Sequence, residues 1–186
     1  MRRIVLHLMT SLDGYFEGPD ADLGWHRVDE ELHTWFNRVL AESSVFLEGR
    51  VTYELMEEFW PTADQDPDVE PSMAEFAAIW RRMPKVVYSR TLDTPGPNAT
   101  VVRDVVPEEV RALQAQPGGE MVVGGPVLAE SFRRHDLIDE YRIFVTPVLL
   151  GHGRRLFEEG PPADLRLVET RVFGNGVVML RYEVER

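Results

Sequence analysis

Three short segments combine glycine, hydroxyl and guanidinium groups as an anion-binding turn requires: Gly49-Arg50-Val51-Thr52, Ser89-Arg90 and Gly124-Gly125-Pro126-Val127. Each follows an apolar run that reads as a strand, and the first and third lead into helical patterns. A helix start offers free amides and the positive end of its dipole. Glycine lets the backbone approach a phosphate closely, and the planar fork of arginine matches its oxygens. Taken singly, each has an ordinary structural reading, as a tight turn or a solvated arginine. Three of them on sequential strand ends point to a nucleotide with more than one phosphate.

Fewer residues could move a proton. Asp13, in Ser11-Leu12-Asp13-Gly14, either forms its own turn or faces a ligand. Asp29, Glu30 and Glu31 open a helix, where acids cap the chain and complement the dipole. The five histidines (His7, His26, His33, His135 and His152) show no pairwise metal spacing, so no metal is expected. The chain has no cysteine, which excludes disulfides, thiolate zinc sites and thiol catalysis.

The elements that would position these groups follow from periodicity. Residues 3–9 read as a buried strand ended by the Ser11–Gly14 turn, followed by a glycine-rich loop to Arg27. Leu32, Trp35, Phe36, Val39 and Leu40 form one apolar stripe at helical spacing, with Asp29 as N-cap. Val45–Leu47 is a strand leading into a helix through about Phe59. An acidic, proline-punctuated loop over 61–71 and a helix over 73–82 come next. Strands are expected at 85–89, 100–103, 121–123 and 141–145, with helices at 107–116 and from the Gly124-Gly125-Pro126 turn to Arg134. Two final strands, 165–173 and 177–184, flank Gly174-Asn175-Gly176, a hairpin signal. This alternation predicts one α/β domain over residues 1–186, with a mostly parallel sheet, helices on both faces and an antiparallel hairpin at one edge.

Composition bounds the partners. The 186 residues carry a formal charge of −12, with 44% hydrophobic and 28% charged residues. So acidic a chain is a poor general binder of nucleic acid or anionic membranes. No apolar run nears the ~18 residues of a membrane span. The apolar stretch after Arg2-Arg3 is too short for a signal peptide, so a cytoplasmic protein is expected. The apolar residues of the closing hairpin (Val177, Val178, Met179, Leu180, Tyr182 and Val184) exceed what one core needs, and a homodimer is expected.

Order and spacing of these segments resemble the dihydrofolate-reductase-like superfamily from about residue 4 to 184. Gly49-Arg50-Val51-Thr52-Tyr53-Glu54 resembles the Gly-Arg-x-Thr segment of dihydrofolate reductases, in which Arg and Thr hold NADPH phosphates. Ser89-Arg90 resembles the strand end that shares the 2′-phosphate, and Gly124-Gly125 the pyrophosphate turn. Ser11-Leu12-Asp13-Gly14, Asp136–Tyr141 and Pro147–Gly153 resemble the reductase domain of the bifunctional riboflavin-biosynthesis deaminase–reductase and its stand-alone bacterial relatives. The riboflavin enzymes usually carry Lys where this chain has His7, and Glu where it has Val123. Dihydrofolate reductases place a carboxylate early in the helix after a Trp, matched only approximately by Trp25 and Asp29, Glu30 or Glu31.

The resemblance therefore implies NADPH as cofactor and reduction of a small pyrimidine-like, pterin-like or carbonyl substrate. The alternative is a non-catalytic NADP(H)-binding or interaction protein that keeps the fold. Expected cofactor contacts are Thr10, Gly49, Arg50, Thr52, Ser89, Arg90, Gly124, Gly125, Pro126 and Val127. His7, Trp25 and Phe36 are the expected substrate contacts, and Asp13 and Glu31 the candidate proton donors.

Overall fold

The computed structural model describes residues 1–157 and 160–186. Its strands are Ile4–Ser11 (β1), Tyr15–Glu17 (β2), Val45–Gly49 (β3), Lys85–Tyr88 (β4), Ala99–Val102 (β5), Met121–Gly124 (β6), Glu140–Thr146 (β7), Arg154–Arg155 (β8), Leu165–Val172 (β9) and Val178–Val184 (β10). Its α-helices are Glu30–Ala41 (α1), Arg50–Phe59 (α2), Pro71–Arg82 (α3), Pro107–Gln114 (α4) and Pro126–Arg134 (α5).

Eight strands form one sheet in the order β5-β4-β3-β6-β1-β7-β10-β9, in which β10 alone runs against the others. Parallel neighbours need long crossovers, and the helices supply most of them. Packing then divides the helices by face. Val110 of α4 and Leu128, Ala129 and Phe132 of α5 cover Ile4, Leu6, Leu47 and Val123. On the other face Leu40 of α1, Tyr53 of α2 and Phe76, Ile79 and Trp80 of α3 cover Phe46, Val87 and Val122. There too Leu32 and Trp35 of α1 pack with Met9, Phe144, Phe173 and Met179. Asp29 accepts a hydrogen bond from the Leu32 amide at 3.0 Å and caps α1 as its sequence predicts.

Three local features differ from the sequence reading. The loop after β1 contains β2, which pairs with β8 across more than a hundred residues. The acidic stretch opens with a 3-10 turn over 60–65 rather than plain loop. In the β9–β10 hairpin, Gly176 alone takes positive φ (+86°) and donates its amide to the Phe173 carbonyl. Asn175 stays outside the left-handed region, so the Asn-Gly pair is not the centre of a two-residue turn.

A buried ion network ties together β1, β7 and β10. Glu140, fully buried, accepts from Arg142 and Arg181 and pairs with Arg3 at 3.0 Å. Arg142 also donates two parallel bonds of 2.7 Å to Glu120, just before β6. Removing one partner of such a network strands the other charge away from water. Arg142→Met is therefore expected to lower the unfolding free energy in urea by about 3–5 kcal/mol. Arg90→Ala breaks an exposed pair with Asp104, and should cost at most about 1 kcal/mol. Equal losses would refute the network's role.

Candidate functional site

Sheet order brings the three turns together. Ser89 follows β4, Gly49 ends β3, Gly124 ends β6 and Thr10 lies near the end of β1, on four adjacent parallel strands. At ~4.8 Å per strand, these carboxyl ends span roughly 15 Å of the sheet edge.

Gly49 is the N-cap of α2, and Arg50 begins it. The Arg50 guanidinium, 43% exposed, donates to Glu54 one turn later at 2.6 Å. Thr52 points back at the neighbouring turn: a Cβ on Gly125 would stand 2.1 Å from its Oγ1. Gly125 has φ +83° and caps α5, whose first residue is Pro126. The Val127 and Leu128 amides are thus the first of that helix and have no intrahelical acceptor. The Val127 side chain is exposed. Gly124 is equally close-packed: a Cβ there would meet the carboxyl of Glu48, at 2.3 and 2.5 Å. Ser89 is buried and accepts from the amides of Thr91 (3.2 Å) and Leu92 (2.9 Å). Arg90 is 80% exposed and pairs with Asp104.

Both candidate proton donors are engaged by their surroundings. Asp13 accepts from Ser11 Oγ at 2.6 Å and from the amides of Leu150 (3.1 Å) and Gly151 (2.7 Å). The Ser11 bond first, with those amides, holds its acid at about 2, so it is ionised at neutral pH and has no proton to give. Asp13 instead clamps the β1–β2 turn to the segment after β7. Glu31 is an exposed carboxylate that accepts from the Gly174 amide at 2.9 Å and lies 3.9 Å from Arg171. It docks the β9–β10 hairpin onto α1. Thr10 is buried, with its hydroxyl donating to the Tyr15 carbonyl at 3.1 Å.

Of the expected substrate contacts, two meet. His7 and Phe36 have ring centroids 6.5 Å apart, and Phe36 lies 4.6 Å from Phe144. Trp25 turns elsewhere, edge-on to His26 at 4.3 Å, with its indole N–H on the Asp22 carbonyl. The His7 side chain is only 6% exposed, its Nε2 is 2.9 Å from Arg142 Nη1, and its Nδ1 has no partner. Burial first, then Arg142 and Arg181, hold its pKa well below the usual imidazole value. Neutral His7 accepts from Arg142 through Nε2, which leaves the proton on Nδ1.

Two further groups escaped the sequence reading. Thr146, the last residue of β7, is fully buried with no partner for its Oγ1. Alternation puts it on the Phe144 face, opposite Ser11 in register. Glu48, buried beside Gly124, likewise leaves Oε2 unpartnered. A separate cleft of about 400 Å³ lies against the far half of α1, with Arg38, Glu120, Arg142 and Arg181 among its lining. It includes none of the glycine turns, and guanidinium and carboxylate groups line it together. Among the described residues no group of three or more His, Asp or Glu is placed to hold a metal, and no helix is long and apolar enough to cross a membrane.

A mostly parallel eight-stranded sheet with only its last strand reversed, and glycine turns along the carboxyl edge, defines the dihydrofolate-reductase-like fold. The chain belongs to the RibD C-terminal domain family, whose model matches residues 2–179. It is 33% identical over 183 residues to uncharacterised protein YyaP of Bacillus subtilis (strain 168), covering 97% of this chain and 94% of that protein. Uncharacterised protein YwjB of the same organism is 26% identical over 179 residues, covering 95% of each. Among solved structures, a protein assigned to riboflavin biosynthesis from Shewanella sp. PV-4 superposes with TM-score 0.77 at 24% identity over the full length of both chains. A pyrimidine reductase-like protein of Corynebacterium diphtheriae gives 0.67 at 13% identity, covering 100% of this chain and 92% of that one. Dihydrofolate reductase from Enterococcus faecalis, complexed with NADP(H) and RAB-propyl, gives 0.65 at 16%, covering 99% and 97%.

The neutral state of His7 has a measurable consequence. Unfolded, its imidazole takes a proton near pH 6.5; folded, it does not until well below that. Wherever the unfolded chain binds more protons, stability falls with falling pH. Between pH 7 and 5.5 the wild type should lose more stability to urea than His7→Gln does. Parallel losses would show that His7 titrates normally.

Proposed function

We propose that this protein is a cytoplasmic NADPH-dependent reductase of a small heterocyclic or carbonyl substrate. The observation that carries the reading is the Gly124–Gly125 turn: two glycines packed against the Glu48 carboxyl and the Thr52 hydroxyl, the second at positive φ, at the start of α5, between the Gly49–Thr52 turn and β1. Such a turn offers bare backbone amides to a diphosphate. Arg50, Thr52, Ser89 and Arg90 would hold the adenosine phosphate on one side. The other end of the cofactor would then lie by Thr10–Gly14, facing the Phe36–Phe144 surface. When bound, NADPH supplies the hydride; the chain binds and orients. Thr146 offers the buried hydroxyl best suited to meet a polar atom there.

Family membership, the fold and the NADP(H) complex of the enterococcal reductase support this reading. The substrate reading is narrower than the family. Asp13 is clamped by Ser11 and two backbone amides, and Glu31 is bonded to the hairpin, so neither carboxylate is free to pair with a protonated pterin ring. With His7 and Val123 where riboflavin enzymes carry Lys and Glu, a ribosylaminopyrimidine phosphate also lacks its expected partners. A carbonyl or neutral C=N acceptor, protonated from water, fits best.

We also infer a homodimer through the β9 edge. All but one residue of that strand is exposed, including Leu165, Leu167, Val168 and Val172, and among the described residues its outer edge has no partner strand. Such an edge is usually covered or blunted. Light scattering should give about twice 21.3 kDa at micromolar concentration. A mass near one chain, unchanged on concentration, would exclude the dimer.

Arg50 provides the sharpest test of the cofactor. If it holds the 2′-phosphate, Arg50→Ala removes a charge-assisted bond worth roughly 1.5–3 kcal/mol. NADPH should then bind about 10- to 150-fold more weakly, while NADH, lacking that phosphate, barely changes. If Arg50 serves only its pair with Glu54, calorimetry will show no change for either cofactor. Equal losses for both would also remove Arg50 from the 2′-phosphate.

A further inference from the structure

Beneath the Gly124–Gly125 turn lies a carboxyl group for which the reading above has no chemical use. Glu48 is the fourth residue of β3, and its register partner on β6 is Gly124. It is 5% exposed, on the same face as Phe46. The distances from a Gly124 Cβ place both carboxyl oxygens directly against the backbone of the turn. Oε2 has no hydrogen-bond partner, and among the described residues no ion pair holds the group.

The groups around it explain why. From β4, Lys85 favours ionisation of Glu48, but its ammonium is already bonded to the carbonyls of Trp80 (2.6 Å) and Met83 (3.1 Å) at the end of α3. From α2, Glu57 accepts the Trp80 indole N–H at 2.8 Å and acts on Lys85, while Tyr53 accepts from the Gly96 amide at 2.7 Å. From β6 comes only glycine backbone at this level. Burial, opposed in part by Lys85, pushes the Glu48 acid up to about 8. At pH 7 the group is a neutral carboxyl packed under an anion-binding turn. Ionised, it would set a buried negative charge against the backbone that faces a diphosphate.

Resting on the cofactor reading, we propose that Glu48 is the positioning residue of this turn and must hold its proton for the turn to accept a dinucleotide diphosphate. Proton and diphosphate then bind with positive coupling, and each raises the affinity of the other. Between pH 6.5 and 7 NADPH affinity changes little, and it weakens about tenfold by pH 9. At pH 8, binding takes up about half a proton.

Calorimetry of wild type with NADPH from pH 6.5 to 9, in buffers of differing ionisation enthalpy, measures both quantities. Glu48→Gln keeps a neutral group of the same shape. It should bind NADPH as wild type does at pH 6.5, yet lose the proton uptake and most of the weakening at pH 9; Glu48→Met should do the same. If wild type binds without proton uptake, or both variants keep its pH profile, this proposal fails while the cofactor reading stands. If wild type does not bind NADPH even at pH 6.5, the cofactor reading fails and this proposal with it. Should neither variant fold, carboxyl carbon shifts of Glu48 in wild type decide. A titration midpoint that rises when NADPH is added supports the coupling, and an unmoved midpoint overturns it.

Discussion

Strand β6 has only four residues, yet the whole carboxyl edge depends on where it lies. It enters the sheet late in the chain, between β3 and β1, which were laid down more than seventy residues earlier. Met121, Val122 and Val123 pair on one side with Ile4, Val5 and Leu6, and on the other with Val45, Phe46 and Leu47. Insertion there reverses the order in which strands are added, and open α/β sheets bind ligands at such a switch point. It also brings Gly124 opposite Glu48 and Gly125 against Thr52, so that one strand's turn is shaped by side chains from its neighbour. Without β6 in that slot the three turns would be unrelated loops.

What the sequence made legible was local. The stripe on α1, its Asp29 cap, the glycine turns and the strand cores each follow from contacts within a few residues, and propensity and periodicity report those directly. The order of strands is a choice among distant partners, which one-dimensional patterns do not encode. The β2–β8 pair shows this most clearly. Tyr15–Glu17 and Arg154–Arg155 are too short and polar to look like strands until the fold sets them side by side. Once there, the guanidiniums of Arg154 and Arg155 lie 4.9 Å over the rings of Phe16 and Tyr15.

The site divides along the same line. Backbone devices such as Gly124-Gly125-Pro126 are legible because glycine and proline state their geometry locally. Carboxylates do not state their role, since many of the donors that fix it come from afar. Asp13 is held by amides 137 and 138 residues away, and Glu31 by one 143 residues away. Glu48 and Thr146 were missed for a smaller reason. Each lies one residue beyond the strand end drawn from the apolar run, at Leu47 and Val145, and a polar residue there looks like the first of a loop. Alternation past the last apolar residue was the signal available for both.

The charge of the chain adds a final constraint on how an anion could be held. With a net charge of −12, cations near the turns do not stand alone: Arg50 lies on Glu54 and Arg90 on Asp104. Exposed pairs of this kind contribute about 0–1 kcal/mol, so a phosphate can take over either guanidinium at little cost. By the same token, neither pair can fix where a phosphate sits, because both side chains are long and solvated. Position has to come from groups that cannot move: the amides at the starts of α2 and α5, held by the sheet, and the glycine surface that Glu48 and Thr52 press into shape. In so acidic a protein, backbone geometry would set the place of a diphosphate, and the arginines would add discrimination at its rim.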